Sequence, residues 1–194
     1  MKMSKNYLKY LISNCKDLKK KYKEIIDFIV YGSYVKGKSK AEDIDLMILF
    51  LDKSLKKRLD IIQELKNTVK KEYPDIDIKS MNITELFNKD LLARQGILIE
   101  GISLVSGRSF AETLGFRSCS LFNFNLKNLK HKDKIRFNYA LYGRKEKGFL
   151  HDINGEYLGR GVVKVPIKES DNFEEFLERW NINYKTKKIL EPTY

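Results

Sequence analysis

The stretch "EDIDLMILFLD", residues 42–52, constrains the fold of this chain more than any other segment. The apolar run at 46–51 is far too short to span a bilayer, and it has the length of a buried strand. Yet the strand it belongs to opens with Asp43 and Asp45 at alternate positions. Alternate residues of a strand share a face, so the two carboxylates project together while Ile44 and Leu46 turn to the opposite, apolar side. "PDIDIKSM" repeats the device with Asp75 and Asp77, backed by Ile76 and Ile78. Charges so placed cost several kcal/mol unless each is compensated. If the two strands are neighbours, three or four carboxylates converge, and like charges at close range raise one another's pKa.

Divalent cations resolve that conflict. Mg²⁺ prefers carboxylate oxygens and shares its shell with substrate phosphates. Two such ions about 3.5–4 Å apart hold the attacking and leaving oxygens of a phosphoryl transfer. The other half of such a device lies one short segment upstream. Gly32 and Ser33 follow the apolar run "FIVY", where a glycine lets backbone approach a phosphate and a hydroxyl adds a donor. The spacing of Gly32 and Gly37 fits neither a Walker A loop nor a dinucleotide fingerprint. His131 and His151 are the only imidazoles, and no Cys/His cluster offers a zinc site, so a metal here is held by oxygen.

The order of elements points to an α/β (α+β) class, with strand–helix–strand logic in the first half. A first helix carries Tyr7, Leu8, Leu11, Ile12, Cys15, Leu18 and Tyr22 on one face, with Ser4 as its cap. Strands are expected at 25–31, 43–51 and 75–81. An amphipathic helix is expected over 54–72 with Leu55, Leu59, Ile62, Leu65 and Val69 inward, ended by Pro74. One or two helices then run to Gly101, before a short strand at 103–105. The texture changes near 107–117, which places a catalytic unit at 1–109 and a smaller α+β unit at 110–194. In that second unit the spacing predicts a strand in "CSLFNFNL", a helix in "HKDKIRFNYALY" with Gly143 just past its end, and an Asn-Gly turn at 154–155. A strand in "GRGVVKVPI", a helix in "NFEEFLERW" and a closing strand in "NYKTKKIL" follow.

"GSYVKGKSKAEDIDL" resembles the G-S…D-x-D signature of the polymerase-beta-type nucleotidyltransferase superfamily, and is most similar to its minimal nucleotidyltransferase branch. The likeness extends over roughly residues 24–106, with the third acidic strand following in that family's order. It implies a small mixed-sheet core with flanking helices. It also implies that Asp43, Asp45 and Asp77 bind two Mg²⁺ (or Mn²⁺) ions, with Asp77 as the third carboxylate and Asp75 at the strand entrance. Gly32, Ser33 and Lys36 would hold the phosphates of a nucleoside triphosphate, ATP first. The sequence departs from the family pattern at Glu42, where serine is frequent, and at Lys36, where arginine is frequent. An acceptor hydroxyl would attack the α-phosphorus and pyrophosphate would leave.

Charge bears on the acceptor. The 194 residues include 38 basic and 26 acidic ones, a net charge of +12, which suits polyanionic partners as well as a lysine-rich surface. Between 120 and 148 eight basic residues face two acidic ones, interleaved with Phe122, Phe124, Phe137, Tyr139 and Tyr142. Lys130, Lys132, Lys134, Arg136, Arg144 and Lys145 are the candidate contacts to RNA or DNA, while the aromatics read first as core. Three readings follow: transfer to a nucleic-acid end, transfer to a protein side chain as in the antitoxin members of the branch, or a silent nucleic-acid-binding protein. Two cysteines are too few for a disulfide framework, so a reducing cytoplasm is expected, with no membrane partner.

Overall fold

The computed structural model describes residues 5–32, 35, 44–69 and 76–193. The chain forms two compact units, Met1–Leu114 and Gly115–Tyr194. No helix among the described residues is long and apolar enough to cross a membrane.

The first unit is built on a four-stranded mixed sheet. Helix α1 (Lys5–Lys21) leads into β1 (Ile25–Tyr31), followed by β2 (Ile44–Phe50), α2 (Leu55–Val69), β3 (Ile76–Asn82), β4 (Ile102–Ser103) and the single-turn helix α3 (Phe110–Thr113). The strand order is β3-β2-β1-β4. β1 runs antiparallel to β2 and β4, whereas β2 and β3 are parallel, joined through α2. A parallel pair needs such a crossover because its ends lie a full strand length apart. Both faces are covered. Leu11, Cys15 and Leu18 of α1 and Ile61, Leu65 and Val69 of α2 pack with Phe28, Val30, Leu46, Ile48 and Ile78 on one face. Ile29, Met47, Leu49 and Met81 meet Leu86, Ile97 and Phe110 on the other. A carboxylate is embedded in this unit. Asp27 accepts from Ser103 Oγ at 2.9 Å and from the Phe28 amide at 2.7 Å. Burial pushes its pKa up against the pull of those bonds.

Two expectations for this unit are corrected. In α2, Ile62, Leu65 and Val69 are buried, but Leu55 and Leu59 are exposed and Arg58 and Ile61 take the inward positions. The reason is ionic: Arg58 donates to both carboxylate oxygens of Glu85, at 2.8 and 3.0 Å, which turns that side of the helix inward. The helices expected before Gly101 are instead a 3₁₀ turn at Ile83–Phe87 and a π-helical turn at Gly96–Glu100. Glu85 closes a capping box on Asn82, and Asn88 Oδ1 accepts from the Asp90 amide at 3.1 Å, a local bond that competes with helix continuation. Ser4, offered as the α1 cap, and Pro74 lie outside the described residues.

The second unit contains β5 (Phe116–Phe124), α4 (His131–Tyr142), the single turn α5 (Phe149–Asp152), β6 (Glu156–Gly159), β7 (Val162–Pro166), α6 (Ser170–Arg179) and β8 (Tyr184–Pro192). Its sheet is ordered β6-β7-β5-β8 with every neighbouring pair antiparallel. With one long helix after β5 and another after β7, this is the split βαβ, or ferredoxin-like, arrangement. Phe122, Phe124, Val163 and Val165 of the sheet pack with Phe137 and Leu141 of α4 and Phe173 and Leu177 of α6. The rings meet edge-on, Phe122 with Phe173 at 4.7 Å and Phe137 with Trp180 at 5.6 Å.

Here too the structure departs from the sequence expectation. Asn154-Gly155 does not turn a hairpin but ends α5. The Gly155 amide donates to the Leu150 carbonyl at 2.7 Å and the Asn154 amide to that of His151 at 3.0 Å, the paired bonds of a helix-terminating Schellman motif. The hairpin lies further on, between β6, a strand not expected, and β7. Its two-residue turn is Arg160–Gly161, with Gly159 paired to Val162.

Candidate active site

Register decides what the acidic residues do. Tyr31 of β1 pairs with Asp45 of β2, and Asp45 pairs with Asp77 of β3. The three side chains therefore form a row across adjacent strands, which are about 4.8 Å apart. Ile44, Leu46, Ile76 and Ile78 turn to the opposite face and join the core under α1 and α2. The alternation expected of "DIDL" and "DIDI" thus holds where the residues are described.

Gly32 continues from this row. Its φ is +81°, and a Cβ there would fall within van der Waals contact of the Asp45 carboxylate. The left-handed backbone calls for glycine, and any side chain there would have to displace the Asp45 carboxylate. Lys79, two residues beyond Asp77 on the same face, forms a 2.7 Å ion pair with Asp77 Oδ2. The Asp77 carboxylate, then Tyr31 and Asp45, keep the Lys79 ammonium above its ordinary pKa. Burial raises the Tyr31 phenol, the two aspartates raise it further, and Lys79 opposes both. The row is thus a coupled carboxylate–phenol–ammonium set at the sheet margin.

Tyr31 and Lys79 were not singled out in the sequence. Lys79 carried a legible signal, since it stands at the same two-residue spacing from Asp77 as Asp43 from Asp45. Tyr31 carried a weaker one in its position immediately before Gly32. Asp43, Asp75, Ser33 and Lys36 lie outside the described residues. Among the described residues no group of three or more His, Cys, Asp or Glu side chains is placed to hold a metal. Of the carboxylates expected to hold a metal, Asp45 and Asp77 are among the described residues. Their hard carboxylate oxygens, side by side in register, suit Mg²⁺ or Mn²⁺ and are unsuited to a soft metal.

The candidate nucleic-acid contacts of the second unit lie along α4 and in two hollows. Lys130 precedes α4, and Lys132 and Arg136 are exposed along it. Arg136 stands 3.6 Å from Asp133. Lys134 lines a groove between α4 and the sheet. Arg144 and Lys145 line a separate hollow that also includes Glu146 and Asp152, and the Arg144 guanidinium lies over the Tyr139 ring at 5.1 Å. Phe122, Phe124 and Phe137 are core, as expected, while Tyr139 and Tyr142 are exposed.

Comparison with family models finds a match within the first unit. Residues 13–106 match the family model described as polymerase beta, nucleotidyltransferase. The first unit thus contains a nucleotidyltransferase domain of the polymerase beta type. No curated protein matches the chain. Among solved structures, the chain is similar to one in the complex of tri-AMPylated Shewanella oneidensis HEPN toxin with MNT antitoxin. The identity is 18%, covering 58% of this chain and 79% of that one, with a TM-score of 0.37. It is also similar to a chain of a toxin–antitoxin complex with AMP-PNP, at 19% identity, covering 53% and 73%, with a TM-score of 0.34.

Proposed function

We propose that the first unit transfers a nucleoside monophosphate from a nucleoside triphosphate, ATP first, to an acceptor hydroxyl. The observation that carries this reading is the in-register pairing of Asp45 with Asp77, with Gly32 packed against the Asp45 carboxylate. The acceptor oxygen forms a bond to the α-phosphorus, the bond from the α-phosphorus to the bridging oxygen breaks, and pyrophosphate departs. The acceptor's proton passes to solvent or to a neighbouring carboxylate.

In this reading Asp45 and Asp77, with Asp43 two residues upstream of Asp45, are the carboxylates that hold Mg²⁺ or Mn²⁺. When bound, two such ions neutralise the triphosphate and acidify the acceptor hydroxyl. The chain's own residues supply the rest. Gly32 keeps backbone low beside Asp45, leaving room for the phosphates that Ser33 and Lys36 would contact. Lys79 orients Asp77 and balances its charge. The Tyr31 phenol, held neutral by burial and by the two aspartates, closes the apolar side of the row. Positioning and charge neutralisation account for most of the rate in reactions of this class.

The test is incubation with each α-labelled triphosphate, Mg²⁺ or Mn²⁺, and a pool of RNA, DNA and protein. Label is expected on an acceptor macromolecule and is expected to be lost in Asp45→Asn. Label in RNA or DNA identifies a nucleic-acid acceptor, and label on a polypeptide a protein one. No transfer with any triphosphate or metal would refute the enzyme reading and leave a binding protein on this fold.

A further inference from the structure

We propose that the groove between α4 and the β6–β7 hairpin of the second unit binds single-stranded nucleic acid, with its phosphates on Lys127, Lys134 and Arg160 and its bases against Tyr142 and Tyr157. The site is independent of the transfer chemistry proposed for the first unit.

The groove has a volume of about 1060 Å³, at the upper end of small-molecule sites, which run to about 300–1,000 Å³. Three cationic side chains line it and no carboxylate does. None of the three forms an ion pair among the described residues, whereas Lys164, on β7 of the same sheet, is held between Glu156 and Glu191. Uncompensated cations converging on a concave wall call for a polyanion. Lys134, Asn138 and Tyr142 recur every four residues, so α4 presents a single stripe of ammonium, amide and phenol to the groove. Asn125 adds a further side-chain amide from the loop after β5.

The aromatic pair gives the ligand its second attribute. Tyr142 and Tyr157 meet edge to face at 5.4 Å and both remain exposed. Burial and the neighbouring Tyr157 push the Tyr142 phenol up to about 12, so the ring stays uncharged beside phosphates. Planar faces, amide donors and acceptors, and cations in one groove match a chain of alternating bases and phosphates. A duplex hides its base faces inside the stack, and a run of Asp and Glu offers no aromatic faces for the tyrosines. This differs from modules that stack bases on the face of a four-stranded sheet. Here the sheet face opposite the helices carries Arg117, Cys119, Leu121 and Asn123 on β5 and Lys164 on β7, with no aromatic side chain from either strand on that face. The aromatic groups have moved to the helix–sheet edge.

Gly161 fixes the groove's shape. It has φ +72°, its carbonyl accepts from the Phe124 amide at 2.8 Å, and a Cβ there would collide with the Phe124 carbonyl oxygen. Arg160 is thereby held in a two-residue turn beside the end of β5.

Fluorescence anisotropy with a labelled 12-residue RNA strand, the same DNA strand, the corresponding duplexes and ATP tests the site in the full chain. Either single strand is expected to bind at least tenfold more tightly than its duplex at equal salt, with ATP a weak competitor; the RNA and DNA arms identify the sugar. Replacing Lys127, Lys134 and Arg160 together by Gln should reduce the dependence of log K on log salt by about 2, at roughly 0.7 per phosphate on a single strand. Tyr142→Ala or Tyr157→Ala should weaken binding by about 5- to 100-fold with the salt slope unchanged, and the Phe variants should bind like the parent. Asp45→Asn should bind the strand normally, so failure of this site and failure of the transfer reaction are read separately. Equal binding of duplex, full displacement by micromolar ATP, an unchanged salt slope in the triple variant, or parental affinity in both Ala variants would overturn the proposal.

Discussion

The two units each carry half of the net charge, yet they use charge in opposite ways. Residues 1–114 hold 22 basic and 16 acidic residues, and residues 115–194 hold 16 and 10, so each nets +6. In the first unit the consequential charges are negative and held by strand register: Asp45 and Asp77 share one level of a parallel pair, with Lys79 beside them. In the second they are positive and held by a helix stripe and a hairpin turn, with the segment 120–148 supplying the unit's whole excess. Net charge therefore teaches little about either unit. What matters is which scaffold fixes the charges, because a strand pair sets spacing rigidly whereas a groove between helix and hairpin sets only a concavity.

The sharpest way to break that contrast is Asp45→Asn. It should lower nucleotidyl transfer on the order of 10³-fold or more, roughly 4 kcal/mol of transition-state stabilisation, with the circular dichroism of the chain unchanged. A variant that keeps parental single-turnover rates would remove the acidic row from the chemistry. Phe137→Ala probes the other unit. Phe137 is fully buried against Phe124, Phe176 and Trp180, and its truncation should cost about 3–4 kcal/mol. Segment-resolved hydrogen exchange should report the loss in β5 and β7.

Gly32→Ala comes next. The left-handed backbone costs a non-glycine residue about 1–2 kcal/mol, and the added methyl must displace the Asp45 carboxylate. Transfer should fall about 10²-fold, in line with the effect of a 1 Å misplacement, and an unperturbed rate would mean that the glycine serves the turn alone. The smallest effect concerns Glu85. Its carboxyl is held below the ordinary range chiefly by Arg58. That contribution is complete above the unfolded value of about 4.3 and is lost as pH falls through the lower folded value. Glu85→Gln should cost about 1 kcal/mol at pH 7, because nearly half of the Glu85 side chain is in solvent. The difference from the parent should begin to shrink near pH 4 and vanish only below the depressed folded value in urea titrations.

The central strands of the first unit were readable because their signal is local. "IIDFIVY" and "DIDLMILF" combine apolar content with alternation, and β1 and β2 follow them closely. Non-local pairing defeated the rest. Nothing in "LKKRLDIIQELKNTV" announces that Arg58 finds Glu85 27 residues away, so its inward turn is invisible in the helix pattern. Asn154-Gly155 suits a hairpin or a helix end equally well, and only the preceding α5 chooses between them. Strand β6 is short and exposed and acquires its identity by pairing with β7.

By itself the sequence determined the acidic spacing, the glycine before it and the basic, aromatic-rich stretch, because periodicity and residue chemistry are properties of neighbours along the chain. Only the tertiary structure decided that Asp45 faces Asp77, that Tyr31 and Lys79 complete their row, and that Lys134 joins Lys127 and Arg160 while Arg144 turns elsewhere. Sheet register and helix–hairpin packing bring together residues tens of positions apart, and no local pattern encodes that distance.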